Sequence, residues 1–155
     1  MIPQREHSQH VQTTDKHLIC DDSSYNRLVL RRFLESLKIE CDESDSAEDA
    51  FEKVRENGEY ALIWMDQRFA SEAMTGIECA RKLRADGYEG VIIALSGFLD
   101  QETYAACKAV GMQQFLSKPF YRPAVASYAR RYRHKSSITA PQREVDHTPK
   151  ERSEF

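Results

Sequence analysis

Five short apolar runs alternate with five segments of helical spacing between residues 17 and 135, and this alternation restricts the fold more than any other property of the chain. The apolar runs are residues 17–21, 39–41, 60–65, 91–95 and 113–117. The third, Tyr60-Ala61-Leu62-Ile63-Trp64-Met65, is almost wholly apolar, as a strand covered on both faces must be. Between the runs, Leu30, Phe33, Leu34 and Leu37 recur at i, i+3, i+4 and i+7, and Ala47, Ala50, Phe51 and Val54 keep the same helical period. Ser23 or Ser24 is placed to cap the first helix, Ser46 with Asp49 reads as a capping box for the second, and Asn57-Gly58 stops it. Ile77, Ala80 and Leu83 mark a third helix that ends near Asp86-Gly87. Residues 100–110 are helical but weakly amphipathic, and Pro123 suits the first turn of a last helix running to about His134. Strand–helix alternation of this kind implies an α/β fold, a five-stranded parallel sheet with helices on both faces. Ligands in such sheets bind beyond the carboxyl ends of the strands, where the strand order reverses.

Polar groups stand at those carboxyl ends. The first run leads into Asp21-Asp22, the third into Asp66, the fourth into Ser96 and the fifth into Lys118-Pro119. A parallel sheet would bring three carboxylates, a hydroxyl and an ammonium to one edge. Three carboxylates held together repel and would push a pKa upward. A hard divalent cation relieves that repulsion, and Mg²⁺ takes oxygen ligands and works beside phosphate. Asp66 would then be a metal ligand and a nucleophile able to form an aspartyl-phosphate. Lys118 would neutralise phosphoryl charge, and the Ser96 hydroxyl would hydrogen-bond a phosphoryl oxygen. Each residue alone has a plainer explanation: an Asp after a strand is usually a turn former or helix cap, and a Lys a solvated charge. The joint placement, each group at the end of a different strand, carries the argument.

The remaining composition narrows the class. The chain has 155 residues, 41% apolar and 30% charged, with a net charge of −3. That suits one domain with a real core and gives no general pull toward nucleic acid or membrane. No stretch approaches the roughly 18 apolar residues of a membrane span. Residues 1–16 and 136–155 are polar and read as flexible tails around a domain at 17–135. The N-terminal stretch has no apolar signal-peptide region, so the expected location is cytoplasmic. Cys20, Cys41, Cys79 and Cys107 form no CxxC pair and read as reduced thiols, most of them in the core, rather than a zinc site.

The ordered set Asp21-Asp22, Asp66, Ser96 and Lys118-Pro119-Phe120 resembles the receiver (response-regulator) domain of two-component signalling, a flavodoxin-like (βα)5 fold. The spacings, 44 positions from Asp22 to Asp66 and 22 from Ser96 to Lys118, fit that family. The resemblance implies that Asp66 is the phosphoacceptor. It implies Mg²⁺, with Mn²⁺ possible, held by Asp22, Asp66 and the backbone carbonyl of Arg68, with Asp21 acting mainly through water. Ser96 would be the switch hydroxyl, Phe115 the switch aromatic that turns inward with it, and Lys118 the phosphoryl contact. The Lys118-Pro119 bond is expected to be cis. The implied partners are a histidine kinase or histidine phosphotransfer protein, and a downstream protein met through the fourth helix, fifth strand and fifth helix. Neither membrane nor nucleic acid is an expected partner, although Arg130, Arg131, Arg133, His134 and Lys135 make a basic end on the last helix.

The chain also departs from the pattern. The loop after Asp66 has Phe69-Ala70 where the family usually has Met-Pro, and it is longer by about two residues before Met74-Thr75-Gly76. Arg68 and Phe98 stand two positions after the acceptor and after Ser96, where side chains are expected to tune water access and hence dephosphorylation. About 20 polar residues follow the last helix, so the expected output is protein–protein contact. The chain would serve as a stand-alone receiver, a phosphorelay intermediate or the receiver of a hybrid histidine kinase. A receiver-like interaction module that is never phosphorylated is the alternative. An enzyme on a similar fold fits less well. Asp21-Asp22 would repel a flavin phosphate, and neither Asp21 nor Asp66 has the second Asp two positions on that an aspartate-nucleophile phosphatase needs.

Overall fold

The computed structural model describes residues 15–70, 73–98 and 100–133. The elements run β1 (His17–Cys20), α1 (Ser24–Ser36), β2 (Cys41–Ser44), α2 (Ala47–Asn57), β3 (Leu62–Asp66), α3 (Gly76–Ala85), β4 (Val91–Ser96), α4 (Gln101–Ala109), β5 (Gln114–Ser117) and α5 (Arg122–Arg131). All strand pairs are parallel, in the order β2-β1-β3-β4-β5. The order reverses between β1 and β3, so the crevice expected to hold a ligand opens above Cys20 and Asp66.

Alternation along each strand splits the core into two layers. Leu18, Cys20, Ile63, Met65, Ile92 and Ala94 face Ala50 and Val54 of α2, Ala80 and Leu83 of α3, and Cys107 of α4. Ile19, Leu62, Trp64, Ile93, Leu95 and Leu116 face Leu30 and Leu34 of α1 and Val125 and Ala129 of α5. Cys20, Cys79 and Cys107 are buried and Cys41 is partly buried, all as free thiols.

β2 lies two residues later than the apolar run 39–41 predicts. Lys38 adopts φ 60°, and the N–H groups of Lys38 and Ile39 close onto Glu35 O and Leu34 O. Ile39 therefore belongs to the turn that ends α1, with its side chain plugged into the core. The strand itself is polar because it is an edge: Asp42 accepts from the Tyr60 hydroxyl, Glu43 pairs with Arg31, and Ser44 bonds Asp49. β3 similarly starts at Leu62 rather than residue 60, and it includes Asp66.

Helix starts are well specified. Ser23 is the residue that caps α1, accepting from Asn26 N. Ser46 accepts from Asp49 N, but the Asp49 carboxylate turns to Ser44 and Lys53, so only half a capping box forms there. The reciprocal box is at Thr75 and Glu78, opening α3. Gly58, at φ 72°, ends α2 in the left-handed turn that favours glycine. Lys118-Pro119 is cis. α5 ends at Arg131; His134, Lys135 and the two expected tails, apart from Asp15 and Lys16, lie outside the described residues.

Candidate metal and phosphoryl site at the carboxyl edge of the sheet

Asp66 is the last residue of β3, beside Leu95 of β4, and Asp21 directly follows β1. Both are buried, while Asp22 is exposed at the mouth. One carboxylate oxygen from each of the three lies within 4.8 Å of the others. Lys118, directly after β5, closes the site: its Nζ is 2.8 Å from Asp21 Oδ2 and 2.9 Å from Asp66 Oδ2.

The surrounding chain fixes each group. Asp21 Oδ1 accepts from Ser23 N at 2.9 Å, and Asn26 Nδ2 reaches both its oxygens. Arg27 Nη1 donates to the Asp21 carbonyl at 2.8 Å. Asp22 Oδ2 accepts from Ala70 N at 2.7 Å, tying the loop after β1 to the loop after β3. Asp66 Oδ1 accepts from Arg68 N at 3.4 Å. Sequence reasoning missed Asn26, Arg27 and the Ala70 amide. The first two sit one turn into the helix that follows Asp21-Asp22, a placement that could have marked them.

Electrostatics leave the site one cation short. Burial pushes the Asp66 carboxyl above the usual carboxylate range and the nearby Asp21 charge adds to this, against the opposing pull of Lys118. Burial disfavours the Lys118 ammonium, but its bonds to Asp21 and Asp66 outweigh that and hold its pKa above the ordinary lysine value. One ammonium among three carboxylates leaves a formal charge of −2. An all-oxygen donor set with that charge fits a hard divalent cation such as Mg²⁺.

The other expected residues stand around this centre rather than in it. The Ser96 carbonyl accepts from Lys118 N at 2.9 Å, which locks the ends of β4 and β5 together. The Ser96 hydroxyl, however, bonds Phe98 O within its own loop. Phe98 is 78% exposed and the Arg68 side chain is exposed. Phe115 is half-buried and stacks on Tyr104 of α4, with ring centroids 4.4 Å apart. Lys108 Nζ lies 5.8 Å from the Tyr104 ring centre and 6.0 Å from that of Phe115.

Comparison with known proteins agrees with this geometry. Residues 18–130 match the response regulator receiver domain, and the chain belongs to that family. It is 34% identical over 122 residues to the osmosensing histidine protein kinase SLN1 of Saccharomyces cerevisiae, covering 72% of this chain and 10% of that kinase. It is 28% identical over 102 residues to two-component response regulator 24 of Arabidopsis thaliana, covering 66% of this chain and 72% of that protein. The chain thus spans about a tenth of the hybrid kinases it matches. In three dimensions it is similar to chemotaxis protein CheY4 of Vibrio cholerae, with a TM-score of 0.69 and 24% identity over 76% of this chain and 97% of that one. It is also similar to the structure of a yeast receiver domain, that of Ssk1, with the histidine phosphotransfer protein Ypd1, at TM-score 0.67 and 22% identity over 76% and 88% of the two chains. These structural likenesses establish the receiver fold. Among the described residues, no helix is long and apolar enough to cross a membrane.

Proposed function

We propose that this receiver is a phosphorylation-driven signalling switch, with Asp66 as its phosphoacceptor. The observation that carries the reading is the Lys118 ammonium bound to Asp66 and Asp21 beside a third carboxylate, all at the switch point of the sheet. An Asp66 carboxylate oxygen attacks the phosphorus of a phosphohistidine, the phosphorus–nitrogen bond breaks, and the imidazole leaves. Lys118 stays charged and donates to Asp66 Oδ2, so it is placed to neutralise the arriving phosphoryl group. Asp21, Asp22, Asp66 and the Arg68 carbonyl would hold Mg²⁺, or Mn²⁺ in its place. The bound cation supplies charge neutralisation for carboxylates and phosphoryl oxygens.

Ser96 and Phe115 form the proposed relay. A phosphoryl group on Asp66 offers the Ser96 hydroxyl a stronger acceptor than the Phe98 carbonyl, and the Phe115 ring leaves its stack on Tyr104 as Ser96 moves. That changes the α4-β5-α5 face, the proposed contact for a downstream protein. The donor would be a histidine kinase or a histidine phosphotransfer protein, and similarity to a receiver solved with such a protein supports that class. The domain would span residues 17–135 and act in the cytoplasm, either alone or as part of a larger signalling chain.

The test is incubation with Mg²⁺ and a small phosphodonor, read by intact mass. A single phosphoryl addition is expected, and it is expected to vanish in Asp66→Asn. The amide variant should remain folded, because burial already disfavours the charge it removes. A receiver-like module that is never phosphorylated is the second reading. It draws on the tether between Asp22 and the Ala70 amide, which occupies one proposed ligand oxygen. Absence of any addition to the wild type would favour it.

Arg68 and Phe98 are proposed to slow hydrolysis. Both side chains stand exposed, on the loops that follow Asp66 and Ser96, where they can screen the phosphoryl group from water. Phosphate release from Arg68→Ala plus Phe98→Ala is expected to be several-fold faster than from the wild type. Equal lifetimes would exclude the role.

A further inference from the structure

Gln67 follows Asp66 directly, and its side chain is buried, only 6% exposed. Every polar group on it is engaged. Nε2 donates to the Met65 carbonyl at 2.8 Å and lies 3.7 Å from Met112 Sδ. Oε1 accepts from Cys107 Sγ at 3.5 Å. The Met65 carbonyl can only accept, so the amide nitrogen must face it and the oxygen must face the thiol. Burial pushes the Cys107 thiol above its ordinary pKa, which keeps it protonated and able to donate. The main chain of Gln67 joins two further elements: its N–H reaches Leu95 O of β4 at 3.3 Å, and its carbonyl accepts from Gly76 N of α3 at 3.3 Å.

An apolar side chain would fill this place without desolvating an amide, so packing alone does not call for glutamine. The position of Cys107 gives the amide a purpose. Cys107 is the single buried residue of α4, so its side chain is the helix's deepest contact with the core, beside the more exposed stack of Tyr104 on Phe115. Met112 lies in the turn that leads from α4 to β5. The residue beside Asp66 therefore holds both the anchor of α4 and the turn that follows it.

The geometry points to Gln67 as a positioning residue that couples the end of β3 to α4, so that a change at Asp66 shifts α4 through the Gln67–Cys107 and Gln67–Met112 contacts. The inference rests on the reading of Asp66 as phosphoacceptor. The route is distinct from the one through Ser96 and Phe115, which meets α4 at Tyr104.

The experiment uses the full chain with Mg²⁺ and beryllofluoride. Fluorine NMR reads adduct formation, and hydrogen exchange reads residues 101–112 with and without the adduct. In the wild type the adduct is expected to change exchange across α4. Gln67→Leu is expected to form the adduct normally but to lose most of that change. Cys107→Ala should behave like Gln67→Leu, whereas Cys107→Ser, which keeps a donor, should restore the response. A lower melting temperature shared by all variants would not mimic this split. Full α4 responses in both Gln67→Leu and Cys107→Ala would overturn the inference. If Gln67→Leu fails to fold, the contrast between Ala and Ser at position 107 decides alone. Failure of the wild type to form any adduct would instead overturn the phosphoacceptor reading.

Discussion

Gly76→Ala is expected to destabilise the protein by about 3 kcal/mol or more, the upper range for forcing an atom into a packed site. A Cβ at residue 76 would stand 1.9 Å from the Asp66 carbonyl oxygen, 2.9 Å from its carbonyl carbon and 3.1 Å from Gln67 Cα. All three are backbone atoms at the end of a central strand, so no side chain can swing aside. Relief requires moving either the start of α3 or the end of β3. The first breaks the Gly76 N–H bond to Gln67 O and disturbs the Thr75–Glu78 cap. The second displaces Asp66 itself. Binding of Mg²⁺ should therefore weaken along with stability, and the two losses should be seen together in urea unfolding with and without the cation. Gly97→Ala is the control: a Cβ there meets nothing within 4 Å, and its stability should stay near that of the wild type. Equal stabilities of the two variants would show that the close approach at Gly76 relaxes at little cost.

That glycine also marks the limit of what the sequence discloses. Asp21, Asp22, Asp66 and Lys118 were legible because each ends an apolar run, and a parallel sheet forces such ends to one edge. The layers of the core were legible for the same reason, through period-2 strands and 3.6-period helices. β2 was misplaced because an edge strand hides its pattern: Cys41-Asp42-Glu43-Ser44 is polar, while the apolar Ile39 closes a helix. Gly76 could be seen as a turn glycine but not as the neighbour of Asp66, since the loop between them returns the chain through a path that local spacing does not encode. Gln67 reads as an ordinary loop residue, and only the tertiary placement of Cys107 and Met112 reveals why it is buried. The Thr75–Glu78 box, like Asn26 and Arg27, did carry a local signal, a Thr followed three residues later by Glu.

Stability is expected to fall by roughly 3 kcal/mol as pH drops from about 6.5 to about 4, through a histidine far from the phosphoryl edge. His17 opens β1 and is 2% exposed. The register pairs Ile19 with Trp64, so His17 and Trp64 lie diagonally on the same face of the sheet. Trp64 Nε1 donates to His17 Nδ1 at 3.1 Å. The indole can only donate, so Nδ1 must be unprotonated and the ring neutral. Burial, helped by the positive charge of Arg133, pulls the His17 pKa down to about 4. An unfolded histidine titrates near 6.5, so between the two values the unfolded chain binds a proton that the folded chain refuses. Stability is thus intact above pH 6.5 and declines with acidification until the folded pKa is reached. His17→Gln keeps an acceptor for the indole but cannot titrate. Its urea midpoint should therefore change far less between pH 7 and pH 5 than that of the wild type, with Trp64 fluorescence as the readout. Carboxylates contribute little in that window, since most titrate below it. A wild-type midpoint that stays level from pH 7 to pH 5 would mean that the folded and unfolded chains bind the same number of protons there, so that His17 is not held neutral by its burial.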